Sequence, residues 1–161
     1  QDGKIEEYSR LVLELTESIQ ITEVNAGKLQ HVHNLGLKLA MDDFGTGYSN
    51  LNYVRKRLFQ LLKFDRVFIR SLHEDQDFVQ GLIALARLLK IEPVAEGVET
   101  GFQLDTLIEM GCEIFQGFFC SKPVPVEEFE ALVLLGPMAL SCWQERAERL
   151  RIQAESDAKA K

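Results

Sequence analysis

The run MDDFGTGYSNL, from Met41 to Leu51, sets two carboxylates side by side where an apolar segment ends, followed at once by glycines, a tyrosine and small polar residues. Adjacent like charges repel unless a cation or a shared proton offsets them, so Asp42 and Asp43 belong either to a solvated turn or to a site. Comparable residues recur along the chain at the ends of other short apolar runs: Glu14, then Thr16 and Glu17; Lys63, then Asp65; Glu96, then Glu99; and Gln116. Taken singly, a strand-end acid is more often a helix N-cap or a turn residue, and Glu17, Asp65 and Glu99 fit that ordinary role best. Brought to one rim, however, four acids repel one another unless divalent cations are bound there, and an all-oxygen ligand set suits magnesium or manganese. Lys63 is the only cation among these residues. It can hold a phosphate oxygen or a nucleophilic water, or it can be an ion-pair partner that balances the acids.

Positioning these residues is the task of five short apolar segments: LVLEL at 11–15, LKLAM at 37–41, LLKF at 61–64, PVAEGV at 93–98 and EIFQGF at 113–118. Each has strand length and stops at polar or glycine residues. Helical patterns lie between them. The clearest is LHEDQDFVQGLIALARLLK, where Phe78, Leu82, Leu85, Ala86 and Leu89 recur at three- and four-residue steps and are expected on one face. Shorter helices are expected after Ser18, Asn50, Gly101 and Pro125, with Ser18 and Asn50 as N-caps and Gly111 and Gly136 as C-terminal stops. Alternating strands and helices make the fold class α/β, a parallel sheet with crossover helices. In such sheets functional residues collect at the carboxyl ends of the strands, where the loops converge.

The 161 residues and 46% hydrophobic content suit one domain with a core. No apolar run approaches the roughly 20 residues needed to cross a bilayer, so no membrane segment is expected in this chain. A net charge of -7 argues against a general surface for a nucleic-acid polymer. Cys112, Cys120 and Cys142 have neither metal-ligand spacing nor an even count, and free thiols in a reducing cytoplasm are the expectation. His31 and His33, two apart on a helix, are expected at the surface or loosely packed. After Pro137 the chain turns polar, which suggests a solvated helical tail over 137–161 behind a body at 11–136 and a short lead-in at 1–10.

Read in order, LELTES, DDFGTGYSNL, KFD, AEGVET and QGF resemble the EAL-domain family, bacterial phosphodiesterases that linearise cyclic di-GMP. DDFGTGYSNL is the most specific of these stretches, and the likeness runs from about Leu11 to Val133. The resemblance implies a TIM-like (β/α) barrel of eight units with two divalent ions, Mg2+ or Mn2+, at its mouth. By similarity Glu14 and Asp42 would ligate the first ion, while Asp42, Asp43 and Glu96 would hold the second or a bridging water. The reaction implied is hydrolysis of one 3′–5′ phosphodiester bond by an activated water. Glu96 would be the general base, Lys63 would position water or phosphate, acting in chemistry more than in folding, and Gln116 would orient the water shell or ligand. The segment containing Gly45, Thr46, Gly47, Tyr48 and Ser49 resembles the family's mobile loop, with Glu17 as its anchor and with Asp65 and Glu99 nearby at the substrate rim.

The chain departs from the family in lacking the Glu-Ala-Leu motif and the Asn that completes the first metal shell. Its five βα units look like the last five of the barrel, so an open edge along 11–15 and self-association, as a homodimer or with a fragment supplied in trans, are expected. The second functional class is a non-catalytic module that binds cyclic di-GMP or a protein partner as a regulator. The implied location is the cytoplasm, alone or within a longer membrane-attached or multidomain protein.

Overall fold

The computed structural model describes residues 11–16, 23–45 and 58–134. Within them lie five strands and five helices. They are β1 (Val12–Thr16), α1 (Glu23–Asn34), β2 (Lys38–Phe44), β3 (Leu61–Phe64), α2 (Arg66–Arg70) with a 3-10 turn at Ser71–His73, α3 (Gln76–Leu88), β4 (Glu92–Glu96), α4 (Gly101–Glu109), β5 (Ile114–Gln116) and α5 (Val126–Leu134). The strands form one sheet in the order β1-β2-β3-β4-β5, every neighbouring pair parallel. A parallel pair needs a long crossover, and described helices provide it between β1 and β2, between β3 and β4, and between β4 and β5.

The register divides each strand between two faces. Glu14 pairs with Ala40, Ala40 with Leu61, Lys63 with Val94, and Glu96 with Gln116. Because side chains alternate and paired residues share a face, Glu14, Asp42, Lys63, Glu96 and Gln116 fall on one side of the sheet. Leu39, Met41, Leu62, Phe64 and Ala95 fall on the other, where they meet Ile69, Leu72, Val79, Ile83, Ala86, Leu104 and Leu107 from the helices and turns to form the core. Phe44 and Phe64 pack there with ring centroids 6.3 Å apart.

Several expected boundaries move. β2 runs on through both aspartates to Phe44, so Asp42 and Asp43 lie inside the strand and not beyond its end. Between the pairs Met41 with Leu62 and Phe44 with Phe64, β2 carries one residue more than β3, a β-bulge, and Asp43 takes φ +55°. The helix at 76–88 buries Val79, Ile83 and Ala86, a face rotated from the expected one. Phe78 is 46% exposed and sets its ring beside Phe68 instead of joining the core. Both faces satisfy a helical period, and only contact with the sheet selects between them.

Helix ends follow local chemistry. Thr100 caps α4 in a capping box with Gln103, and Gly111 follows its C-cap with φ +84°. The expected caps Ser18, Asn50 and Gly136, the tail and Cys142 lie outside the described residues. His31 is exposed and His33 half-buried. Cys112 and Cys120 are both free thiols, one buried and one exposed. Among the described residues no helix is long and apolar enough to cross a membrane.

Candidate active site

Four neighbouring strands bring their charged residues together at the carboxyl end of the sheet. Lys63 is the centre of the group, with Nζ 2.8 Å from Glu14 Oε2, 2.9 Å from Asp42 Oδ1 and 2.5 Å from Glu96 Oε1. The lysine is only 5% exposed. Burial pulls its pKa down, but the hydrogen bonds it donates to Glu14, Glu96 and Asp42 outweigh it and hold the ammonium charged far above neutral pH.

The bulge gives the paired aspartates their geometry. In an unbroken strand consecutive side chains point to opposite faces. The extra residue sets Asp42 and Asp43 together opposite Lys63 of β3, and the left-handed backbone at Asp43, a conformation that aspartate tolerates better than most residues, turns the second carboxylate to the same rim. Asp42, Asp43 and Glu96 then each offer an oxygen within 4.8 Å of the others. Oxygens across a magnesium ion at about 2.1 Å from the metal stand about 4.2 Å apart, so small side-chain rotations would close the three around one cation.

The electrostatics favour such an ion. Burial raises the Glu96 pKa, partly offset by Lys63 and reinforced by Asp42. Burial also raises that of Asp43, with the charges of Asp42 and Asp65 adding to it. Asp42 Oδ1 and Glu96 Oε1 are buried, and the only positive group beside them among the described residues is Lys63 Nζ. Three carboxylates share one lysine and a fourth, Asp43, stands beside them, and hard divalent cations are the ligands that an all-oxygen set of this charge accepts. The residues present therefore fit magnesium or manganese.

Other expected site residues divide. Gln116 ends β5 on the site face, beside Glu96 in register. Asp65 caps α2, its Oδ1 accepting the Val67 N–H at 2.7 Å, and Glu99 pairs with Arg70 Nη2 at 3.2 Å. Both hold local structure, the role that strand-end acids most often have. Gly45 has φ +93°, and a Cβ there would touch the Phe68 ring at 3.0 Å. Glu17, Thr46, Gly47, Tyr48 and Ser49 lie outside the described residues. Glu14 meets Lys63 but is not one of the three acids that converge on a single point. Sequence reading passed over Gly97, whose φ of +71° and close approach to Arg66 Cβ bring α2 against the end of β4. The glycine directly after Glu96 was the available signal.

The sequence profile of the EAL domain matches residues 4–123, well over half of the chain. The chain belongs to the EAL domain family. It is 41% identical over 132 residues to the bifunctional diguanylate cyclase/cyclic di-GMP phosphodiesterase MucR of Pseudomonas aeruginosa, covering 79% of this chain and 19% of MucR. The phosphodiesterase part of that protein, solved with c-di-GMP, superposes with a TM-score of 0.69 over 76% of this chain and 52% of the other. The EAL domain of Mycobacterium smegmatis DcpA superposes with a TM-score of 0.74 at 37% identity, covering 84% of this chain and 68% of that one. A Klebsiella pneumoniae protein, BlrP1, in complex with manganese and cyclic di-GMP, gives 0.65 at 34% identity, over 71% of this chain and 31% of the other. The five-stranded sheet is thus five consecutive βα units of the EAL domain's TIM-like barrel. The chain spans about a fifth of the length of the curated relatives it matches.

Proposed function

We propose that this chain forms the larger part of the active site of a metal-dependent phosphodiesterase that hydrolyses cyclic di-GMP to linear pGpG. The observation that carries the reading is the convergence of Asp42, Asp43 and Glu96 within 4.8 Å beside a buried, charged lysine. Relatives of known structure bind cyclic di-GMP, one of them together with manganese, and support the choice of substrate and metal.

Asp42, Asp43 and Glu96 would hold one divalent ion, and Glu14 with Asp42 a second. These ions would supply Lewis acidity at the phosphoryl oxygens and a water deprotonated near neutral pH. Glu96 accepts the proton of the attacking water. The water oxygen bonds to phosphorus, the P–O bond to one ribose breaks, and the leaving oxygen ends as a ribose hydroxyl. Lys63, fixed by three carboxylates, sets its positive charge beside the phosphate and the water. Gln116 orients the ligand from the neighbouring strand. The intact acids favour turnover over a purely binding role. The reading also assigns 11–136 to the barrel and 137–161 to a tail, in a protein that works in the cytoplasm.

The test is conversion of cyclic di-GMP to pGpG by the purified chain and by any longer form that its gene encodes, with Mn2+ and with EDTA, followed by chromatography. Manganese-dependent product supports the reading. Tight cyclic di-GMP binding without product from either form would turn it into the regulatory alternative. The exposed apolar residues Val12 and Leu13 on edge strand β1, with Leu11 just before it, support self-association through that edge. A monomer by light scattering at micromolar concentration would remove that part.

A further inference from the structure

Gln103 is a polar side chain buried to 6% exposure in the first turn of α4. A capping box needs only its bond to the N-cap residue. Gln103 makes more. Its Oε1 accepts two backbone N–H groups, from Glu99 at 2.8 Å and Thr100 at 3.0 Å, and its Nε2 donates to the Ile69 carbonyl at 3.1 Å. Glu99 and Thr100 belong to the turn that leaves β4 immediately after Glu96. Ile69 belongs to α2, which starts three residues after Lys63 and is capped by Asp65.

One side chain therefore joins the segment behind Glu96 to the segment behind Lys63. The joint is tight. Gly97 lies so close to Arg66 that a Cβ would collide with it, and Val98 is wholly buried, its N–H donating to the Gln116 carbonyl at 3.1 Å. The Arg70–Glu99 pair spans the same joint in solvent, where such pairs contribute little. The buried amide has no such competition from water, and loss of it leaves two N–H groups and a carbonyl unsatisfied at this seam.

Resting on the phosphodiesterase reading for its kinetic readout, we propose that Gln103 is a positioning residue for catalysis: by tying the Gly97–Thr100 turn to α2 it sets the separation of Glu96 from Lys63. Reacting groups displaced by about 1 Å lose about a hundredfold in rate in the extreme case, so a partial loosening at this joint lowers turnover measurably.

The experiment compares Gln103→Ala with Thr100→Ala. The second variant removes the Thr100 Oγ1 acceptor of the Gln103 N–H, 3.2 Å away, and so weakens the same helix start while leaving the Gln103 side-chain bonds in place. Both variants are expected to lower the melting temperature. Only Gln103→Ala is expected to lower kcat for cyclic di-GMP, about tenfold at saturating Mn2+, with KM within twofold. Equal kcat losses in the two variants would make Gln103 merely structural and overturn the proposal. If Gln103→Ala does not fold, Gln103→Glu takes its place: it keeps an oxygen for the Glu99 and Thr100 N–H groups, replaces the donor to Ile69 by an oxygen that the carbonyl repels, and is expected to fall below both Thr100→Ala and wild type in kcat. Crystals grown in EDTA supply a readout independent of activity. In the Gln103 variant the Glu96 carboxylate should leave Lys63 Nζ, whereas an unchanged 2.5 Å contact overturns the positioning role. Absence of turnover in the wild type would refute the phosphodiesterase reading alone, and the crystallographic distance would still decide this one.

Discussion

The two faces of the sheet are made by the same strands and differ in almost everything else. On β3, Leu62 and Phe64 are fully buried against the helices, while Lys63 between them turns to the opposite side and meets three carboxylates. β2 repeats the pattern, with Leu39 and Met41 in the core and Asp42 at the mouth. An alternation of two residues lets one short strand hold the domain together on one face and gather charge on the other. The apolar face is tolerant of chemistry but not of volume. The charged face reverses that sensitivity.

Substitutions at neighbouring positions break the comparison most directly. Lys63→Ala is expected to cut turnover of cyclic di-GMP by about 10²–10⁴-fold, the range of a lost group that acts at the reacting centre. Because Lys63 is buried among acids, the same change should also lower stability in EDTA, by about 1–3 kcal/mol from unpaired buried carboxylates. This differs from the expectation of a purely chemical lysine. Turnover within a few-fold of wild type would reduce it to an ion-pair partner. Phe64→Ala, one position on, should cost about 3–5 kcal/mol in urea unfolding while each molecule that remains folded keeps its rate. A rate loss matching that of Lys63→Ala would erase the distinction between the faces.

Metal binding sharpens the contrast on the charged face. Mn2+ at about a hundred times its dissociation constant should stabilise the wild type by about 2.7 kcal/mol, seen as a rise in melting temperature that EDTA reverses. Asp42→Asn or Asp43→Asn should abolish most of that rise, and a full rise in both would move the metal elsewhere.

The smallest effect belongs to the thiols. Cys112 is fully buried, and burial pushes its pKa up to about 11. A thiol raised in this way keeps its proton in the fold after the unfolded chain has lost it, so stability falls as pH rises from about 9 to about 11, stays reduced above that, and is unaffected below it. At pH 8 iodoacetamide should label exposed Cys120 in the native protein and leave Cys112 unmodified, mapped by mass spectrometry. Equal labelling would mean that the core under β4 and β5 opens readily.

Much of this arrangement was legible along the chain. Strand-length apolar runs separated by helical ones dictate a parallel sheet, because each crossover must return the chain to the same edge direction. The order of LELTES, DDFGTGYSNL, KFD, AEGVET and QGF was sufficient to indicate the family and its candidate ligands. Asp65 and Glu99 take the ordinary roles that their strand-end positions suggest, one capping α2 and the other pairing with Arg70 in solvent.

The sequence by itself determined which residues could do chemistry and on which strands they would stand, since residue type and hydrophobic period are properties of the chain alone. Tertiary structure decided how they meet. The extra residue in β2 exists only relative to β3, so the bulge that turns Asp42 and Asp43 together cannot be read from either strand. The buried face of α3 followed from what the sheet offered it, because a helix with apolar residues on more than one side has no preference until it packs. The bond from Gln103 to Ile69, 34 residues away, depends on two loops folding over the same core, and no local pattern specifies a contact between segments whose closeness is itself the result of folding.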